Sequence, residues 1–281
     1  MLKPFFRAFV YSNLWVGLAV ASLSALSMLR FDVWNTSYIF VSLFSTIAFY
    51  GYARWVETTN LTATPEQHIA AWTIHHRTLI LALSTVSAIA AVYFWFQLPS
   101  TPRWVYAICG ALSGLYTVPS LFNRRGIRYL AGVKLVYIAL VWTAVTVTIP
   151  ALIAHVEIDR NLILFHIERF AFVIALTIPF DIRDTKTDST DLLTLPMWLG
   201  IMGARNVALT AMAFVILLQF YPGYNLPTIP YGEVAVFLFG GYLVHRSHQD
   251  LPDMYFSFAI EGLPILLAAQ AIATAFVASS F

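Results

Sequence analysis

The chain has 281 residues, 59% of them hydrophobic and only 11% charged, with a formal net charge of +2. A soluble domain of this length carries roughly a quarter charged residues, so the composition excludes one and defines an integral membrane protein. The small net charge argues for neither nucleic acid nor an acidic partner, and a lone cysteine, Cys109, inside an apolar segment excludes an intrachain disulfide.

A crossing needs about 20 apolar residues to bridge a hydrocarbon core of ~30 Å. On that measure the sequence predicts nine transmembrane helices, at roughly 10–29, 33–55, 78–98, 102–119, 133–154, 163–181, 195–220, 232–248 and 256–278. Ala25-Leu26-Ser27 could pass for a leader-peptidase site, but the chain continues as further spans and the first stretch reads as one of them. Pro99, Pro102, Pro119, Pro196, Pro222, Pro227, Pro230 and Pro252 fall at or near proposed ends, where a missing N–H is tolerated. Pro150 and Pro179 lie near the C-terminal ends of their spans and are candidates for kinks. No linker, low-complexity stretch or repeat interrupts the series. The expectation is an all-α polytopic membrane protein, one helical domain over 1–281.

Basic residues orient it. With the N-terminus in the cytoplasm, the inner segments hold Lys3, Arg7, Arg54, Arg77, Arg124, Arg125, Arg128, Lys134, Arg183, Lys186 and Arg246. The outer loops hold only Arg30, Arg103 and Arg160. The positive-inside rule predicts an N-terminus in the cytoplasm and a C-terminus outside; the expected location is the inner (cytoplasmic) membrane.

The segment after the sixth span, PFDIRDTKTDSTDLL at 179–193, then faces the cytoplasm. It ends an apolar run with Asp181, Asp184, Asp188 and Asp191, spaced three, four and three apart. At about 100° per residue the four fall within roughly an 80° arc, with Lys186 nearly opposite. Like charges on one face repel, so something positive is expected among them. Asp181, Asp184 and Asp188 form D-x-x-D-x-x-x-D, a stripe of hard oxygens that suits Mg²⁺ shared with a phosphate. The plainer reading is a solvated helix end with incidental charges.

Other ionisable groups lie at membrane depth, where they are expensive and face a bundle interior or a wet cavity. Arg205, ten residues into the seventh span, either snorkels to the interface or faces the acidic helix end; Glu261 lies inside the ninth span. Glu168 and Arg169, near the start of the sixth, are expected at the outer interface. The most basic segment, LYTVPSLFNRRGIRYLAGVK at 115–134, either serves topology alone or clamps phosphate oxygens with its arginines. His75, His76 and Arg77, with Glu66 and His68, lack the cysteines and spacing of a zinc site.

Nine spans, an N-terminus inside and D-x-x-D-x-x-x-D after the sixth together resemble the UbiA-type family of intramembrane prenyltransferases. DSTDLLTLPMWLG resembles the family's run into span seven, and LYTVP at 115–119 its tyrosine-bearing turn after span four. The resemblance covers nearly the whole chain. It implies an all-α bundle around a central cavity with a lateral opening to lipid. It also implies transfer of a prenyl group from a polyprenyl diphosphate to a hydrophobic acceptor, commonly an aromatic ring, within the bilayer. By position, Asp181, Asp184 and Asp188 would be Mg²⁺ ligands and catalytic residues, with Tyr116 at the family's tyrosine position. Arg54, Arg124, Arg125, Lys134 and Arg205 would bind the diphosphate; the lysine expected four residues after Tyr116 is Ser120 here, and Arg124 or Arg125 is the candidate replacement.

One departure stands out. After span two the family has N-D-x-x-D-x-x-x-D, and this chain has FYGYARWVETTNLTAT. One alignment puts Tyr50, Gly51 and Arg54 in the Asn, Asp and Asp positions; another puts Glu57, Asn60 and Thr64 at the acidic spacings, leaving Glu57 as the one carboxylate for a metal. Arg54 is then either an internal cation in place of the first metal or an interfacial arginine snorkelling toward headgroups. The alternative function is a non-catalytic prenyl-diphosphate-binding, lipid-binding or transport protein on the same bundle. No re-entrant filter or symmetric charge ring suggests a channel.

Overall fold

The computed structural model describes residues 2–59, 68–121, 133–186, 194–224 and 231–278, and every regular element among them is helical. In chain order these are α1 (Leu2–Tyr11), α2 (Leu14–Arg30), α3 (Thr36–Thr59), α4 (His68–His75), α5 (Arg77–Trp95) and α6 (Ser100–Leu121). Next come α7 (Val133–Thr143), running through a π-helical turn (Ala144–Thr148) into α8 (Ile149–Ile153), then α9 (Arg160–Asp184), α10 (Leu195–Gln219) and α11 (Tyr231–Arg246). A second π-helical turn (Tyr255–Ile260) leads into α12 (Leu263–Ala278).

Six helical stretches among the described residues are long and apolar enough to cross a bilayer, or seven if the α1–α2 pair, bent by 58°, is one span. The stretches expected at 102–119 and 232–248 are helical as α6 and α11 but are not among these. At 16 residues α11 is short for a straight crossing. On α5, Leu79, Val86, Ile89 and Tyr93 are each more than half exposed, an apolar belt that suits lipid rather than water.

Local signals place the helix ends. Asn35 Oδ1 accepts from Tyr38 N at 2.9 Å at the start of α3, and Asp159 Oδ1 from Leu162 N at 2.7 Å at the start of α9. Between α1 and α2, Asn13 takes φ 68°, which turns the chain. Gly200, with φ 72°, breaks α10 one turn in, a conformation that side chains rarely adopt. Pro179, a candidate kink, sits inside α9 without ending it.

The helices pack in a circuit: α2 on α12, α12 on α11, α11 on α10, α10 on α9 and α9 on α7, whose π-helical turn returns to α2. The main apolar core lies inside it, with Phe172, Ile178, Phe237 and Phe256 at most 1% exposed. Outside, α3 packs on α2 and α5 on α3. The π-helical turn frees carbonyls for neighbours: Ser27 of α2 donates to Thr146 O and Tyr38 of α3 to Val145 O.

Glu168 and Arg169 correct an expectation. They are 4% and 1% exposed, within the packing rather than presented to an interface. Glu168 Oε2 accepts from Gln219 Nε2 at 2.7 Å and from the Tyr224 hydroxyl at 2.5 Å. Arg169 donates to Leu23 O at 3.2 Å and lies 5.1 Å from the Phe165 ring centroid. A buried charge persists only with partners, and here α2, α9, α10 and the segment after α10 supply them.

Candidate functional site

The C-terminal end of α9 carries the acidic run. The helix stays regular to Asp184, so Asp181 and Asp184 share a face, as their spacing predicts. Asp181 is 2% exposed, and its Oδ1 lies 2.6 Å from Lys134 Nζ at the start of α7. Asp184 receives both sides of a guanidinium fork, from Arg183 Nε at 2.7 Å and Nη2 at 3.1 Å. The expected cations are therefore present, and Lys134 and Arg183 supply them. Asp188 and Asp191 lie outside the described residues, as do Arg124, Arg125 and the Tyr116 side chain.

Arg183 has further surroundings that its sequence position gave no reason to single out. Its guanidinium lies 5.2 Å from the Phe180 ring and 5.7 Å from that of Phe256, and its Nη1 is buried with no hydrogen-bond partner. Asp253 and Glu261 both act on it electrostatically. Asp253 is 7% exposed and accepts from Ile69 N at 3.0 Å, which ties α4 to the segment before the second π-helical turn.

Arg54, at the end of α3, is acted on by some of the same charges. Among the charges acting on Arg54, Glu261 is foremost, followed by Arg183 and Glu57. Arg54 Nη1 also reaches Tyr11 O at 3.4 Å. Glu57 is exposed on the next turn. At Gly51 an added Cβ would collide with Ser84 Oγ of α5 and stand 3.5 Å from Asn13 Nδ2, so any side chain there requires the Ser84 hydroxyl to move. Asn13 is 0% exposed, and neither its Oδ1 nor its Nδ2 has a partner.

Arg205 is anchored to the neighbouring helix end: its Nη2 donates to Ser247 O, just past α11, at 2.6 Å. Beyond α9, the exposed pair Lys186 and Asp250 meets at 2.6 Å, and that hydrogen bond, with the ammonium charge, lowers the Asp250 carboxyl from its ordinary value. Among the described residues, no group of three or more His, Cys, Asp or Glu side chains is placed to hold a metal ion. Two aspartates, Asp181 and Asp184, are the described part of the expected ligand set.

These features define a helical membrane bundle with carboxylates and guanidinium groups gathered at one end. Solved structures of a UbiA homolog from Archaeoglobus fulgidus share its architecture. The structure bound to GPP and Mg²⁺ has a TM-score of 0.59 at 12% identity, over 95% of this chain and 96% of that one. The structure bound to DMAPP and Mg²⁺ has a TM-score of 0.56 at 13% identity, over the same shares. The chain has the UbiA fold. No family model and no curated protein matches the sequence.

Proposed function

We propose that this protein is a UbiA-like, Mg²⁺-dependent prenyltransferase, a single domain over 1–281 that moves a prenyl group from a polyprenyl diphosphate to a hydrophobic acceptor in the membrane. One observation carries the reading: in a UbiA fold, Asp181 and Asp184 end an apolar helix beside Lys134 and Arg183. Carboxylates for a metal and forked or mobile cations for phosphate oxygens are what a diphosphate site combines.

The residues at the end of α9 fit Mg²⁺ by donor type: two carboxylates on one face, each already beside a cation, with Asp188 next in the run. Asp181, Asp184 and Asp188 would hold the ion, which when bound neutralises charge on a leaving diphosphate. Lys134 and Arg183 would donate to phosphate oxygens, joined by Arg54, Arg124, Arg125 and Arg205, with Tyr116 beside the reacting group. The end of α3 does not fit a metal equally well. It offers Gly51, Arg54 and a single exposed carboxylate, Glu57.

That departure favours a second reading, a protein that binds a prenyl diphosphate or similar lipid without turning it over. Purified protein incubated with radiolabelled prenyl diphosphates of several lengths and aromatic acceptors, with and without Mg²⁺, separates the two. Mg²⁺-dependent prenylated product is expected. Binding without product selects the second reading, and absence of binding at every length sinks both.

A further inference from the structure

Asp181 and Asp184 do not present open carboxylates. Lys134 Nζ lies 2.6 Å from Asp181 Oδ1, and the guanidinium fork of Arg183 takes both oxygens of Asp184, at 2.7 and 3.1 Å. The hard oxygens that suit a divalent ion are already turned to internal cations. A metal arriving alone has to compete with an ammonium at Asp181, on a carboxylate that is 2% exposed.

The two cations are not held alike. Arg183 lies 5.2 Å from the Phe180 ring and 5.7 Å from that of Phe256, and two of its nitrogens grip the neighbouring residue. Its side chain is 13% exposed against 22% for Lys134. Lys134, the second residue of α7, carries its ammonium on a flexible stem with rotatable donors. Asp181 has no such freedom, since it belongs to the regular part of α9 beside the fully buried Ile178 and Ile182. Lys134 is therefore the group that can change partner.

An ammonium and a divalent cation repel each other across one carboxylate. A diphosphate relieves that conflict, because its oxygens are charged acceptors for the displaced ammonium.

The geometry points to an exchange of partners, in which Lys134 closes Asp181 to a divalent ion alone and passes to a phosphate oxygen when the diphosphate arrives with Mg²⁺. Lys134 thus couples the two ligands, so that they enter together. Arg183 keeps its hold on Asp184 throughout, and its Nη1, buried without a hydrogen-bond partner, can still donate. This rests on the proposed prenyl-diphosphate reading and adds to it the order in which the site fills.

The test reads metal binding apart from turnover. Mn²⁺, which shares the preference for carboxylate oxygens, is titrated into purified full-length protein and followed by loss of its free-ion EPR signal. The wild type is expected to take up Mn²⁺ only weakly when no diphosphate is present. Lys134→Gln should bind Mn²⁺ alone at least about 10-fold tighter, the effect of one hydrogen bond to a charged group. The same variant should bind radiolabelled GPP in saturating Mg²⁺ about 10- to 100-fold more weakly, because the phosphate has lost a charged donor. Lys134→Arg keeps the charge and should leave Mn²⁺ uptake as in the wild type. Adding Asp181→Asn to Lys134→Gln should cancel the gain in Mn²⁺ binding. Opposite signs in one variant are what an exchange requires; a purely structural pair would lower both affinities together. An Mn²⁺ affinity in Lys134→Gln that is unchanged or lowered overturns the inference, as does an unchanged GPP affinity. So does stoichiometric uptake of Mn²⁺ alone by the wild type, an arm that needs no variant to fold. Those results leave the proposed function standing where wild-type GPP binding is intact. Absence of wild-type GPP binding in Mg²⁺ overturns the proposed function as well.

Discussion

Lys134 and Asp181 meet at 2.6 Å where the start of α7 passes the C-terminal end of α9, and the carboxylate side of the pair is 2% exposed. Removing one partner of such a pair strands the other charge, which costs about 3–5 kcal/mol, whereas replacing both is often close to neutral. Lys134→Met and Asp181→Leu should each lower thermal stability in detergent, and the double variant should recover most of the loss. Strictly additive losses in the cycle mean the two residues do not act as a unit.

The buried network at the other end of α9 makes a parallel claim. Glu168 accepts from both Gln219 and Tyr224 within packing that also buries Arg169. Glu168→Ala should destabilise by about 3–5 kcal/mol, since it takes an acceptor from Gln219 and Tyr224 and the nearby counter-charge from the buried Arg169. Glu168→Gln keeps an oxygen in place and should cost less. A melting temperature equal to wild type in Glu168→Ala removes the network from the list of what holds α9 in the bundle.

Much of this was legible from periodicity and composition, and the rest was not for a definite reason. Apolar runs and prolines mark the helices, and spacing alone puts Asp181 and Asp184 on one face of α9. Periodicity says which residues share a helix face but nothing about which distant helix faces them. Glu261 acting on Arg54 across some two hundred residues of chain, or Glu168 bonding Tyr224, needs the packed bundle. Arg183 shows this most clearly. In sequence it is one more basic residue supporting topology, yet it sits in the acidic motif itself and grips Asp184. The π-helical turns carry no composition signal.

Orientation rests on the basic residues and is open to direct measurement. Lys186 and Asp250 are exposed and meet at 2.6 Å, so both ends of that contact lie on one side. Ile158, 86% exposed before α9, belongs to the opposite end of that helix. With Cys109 replaced by serine, a cysteine at 158 should react with a membrane-impermeant maleimide in intact cells, and one at 250 only after permeabilisation. Labelling at 250 in intact cells reverses the topology and puts the proposed diphosphate site on the wrong face.

Gly51 supplies the sharpest test of how the end of α3 differs from the acidic motif that the resemblance puts there. The resemblance puts an aspartate there, so restoring it looks conservative on sequence alone. The packing says otherwise: a Cβ would collide with Ser84 Oγ, and that hydroxyl is held by its bond to Ile80 O at 2.7 Å. Overpacking of this kind typically costs about 1–3 kcal/mol, through displaced side chains and backbone. Gly51→Asp should therefore lower the melting temperature, although the residue it introduces is small. Ser84→Ala removes the clashing oxygen and leaves the Ser84 Cβ 3.4 Å from the new one, an ordinary contact. Ser84→Ala alone should be nearly silent, and Gly51→Asp/Ser84→Ala should regain most of the lost stability. In that double variant a carboxylate stands beside Asn13 and one turn from Arg54, so GPP binding should become more dependent on Mg²⁺ than in the wild type. A Gly51→Asp protein as stable as wild type would mean that α5 yields easily, and the α3–α5 contact would no longer explain why the position carries no side chain.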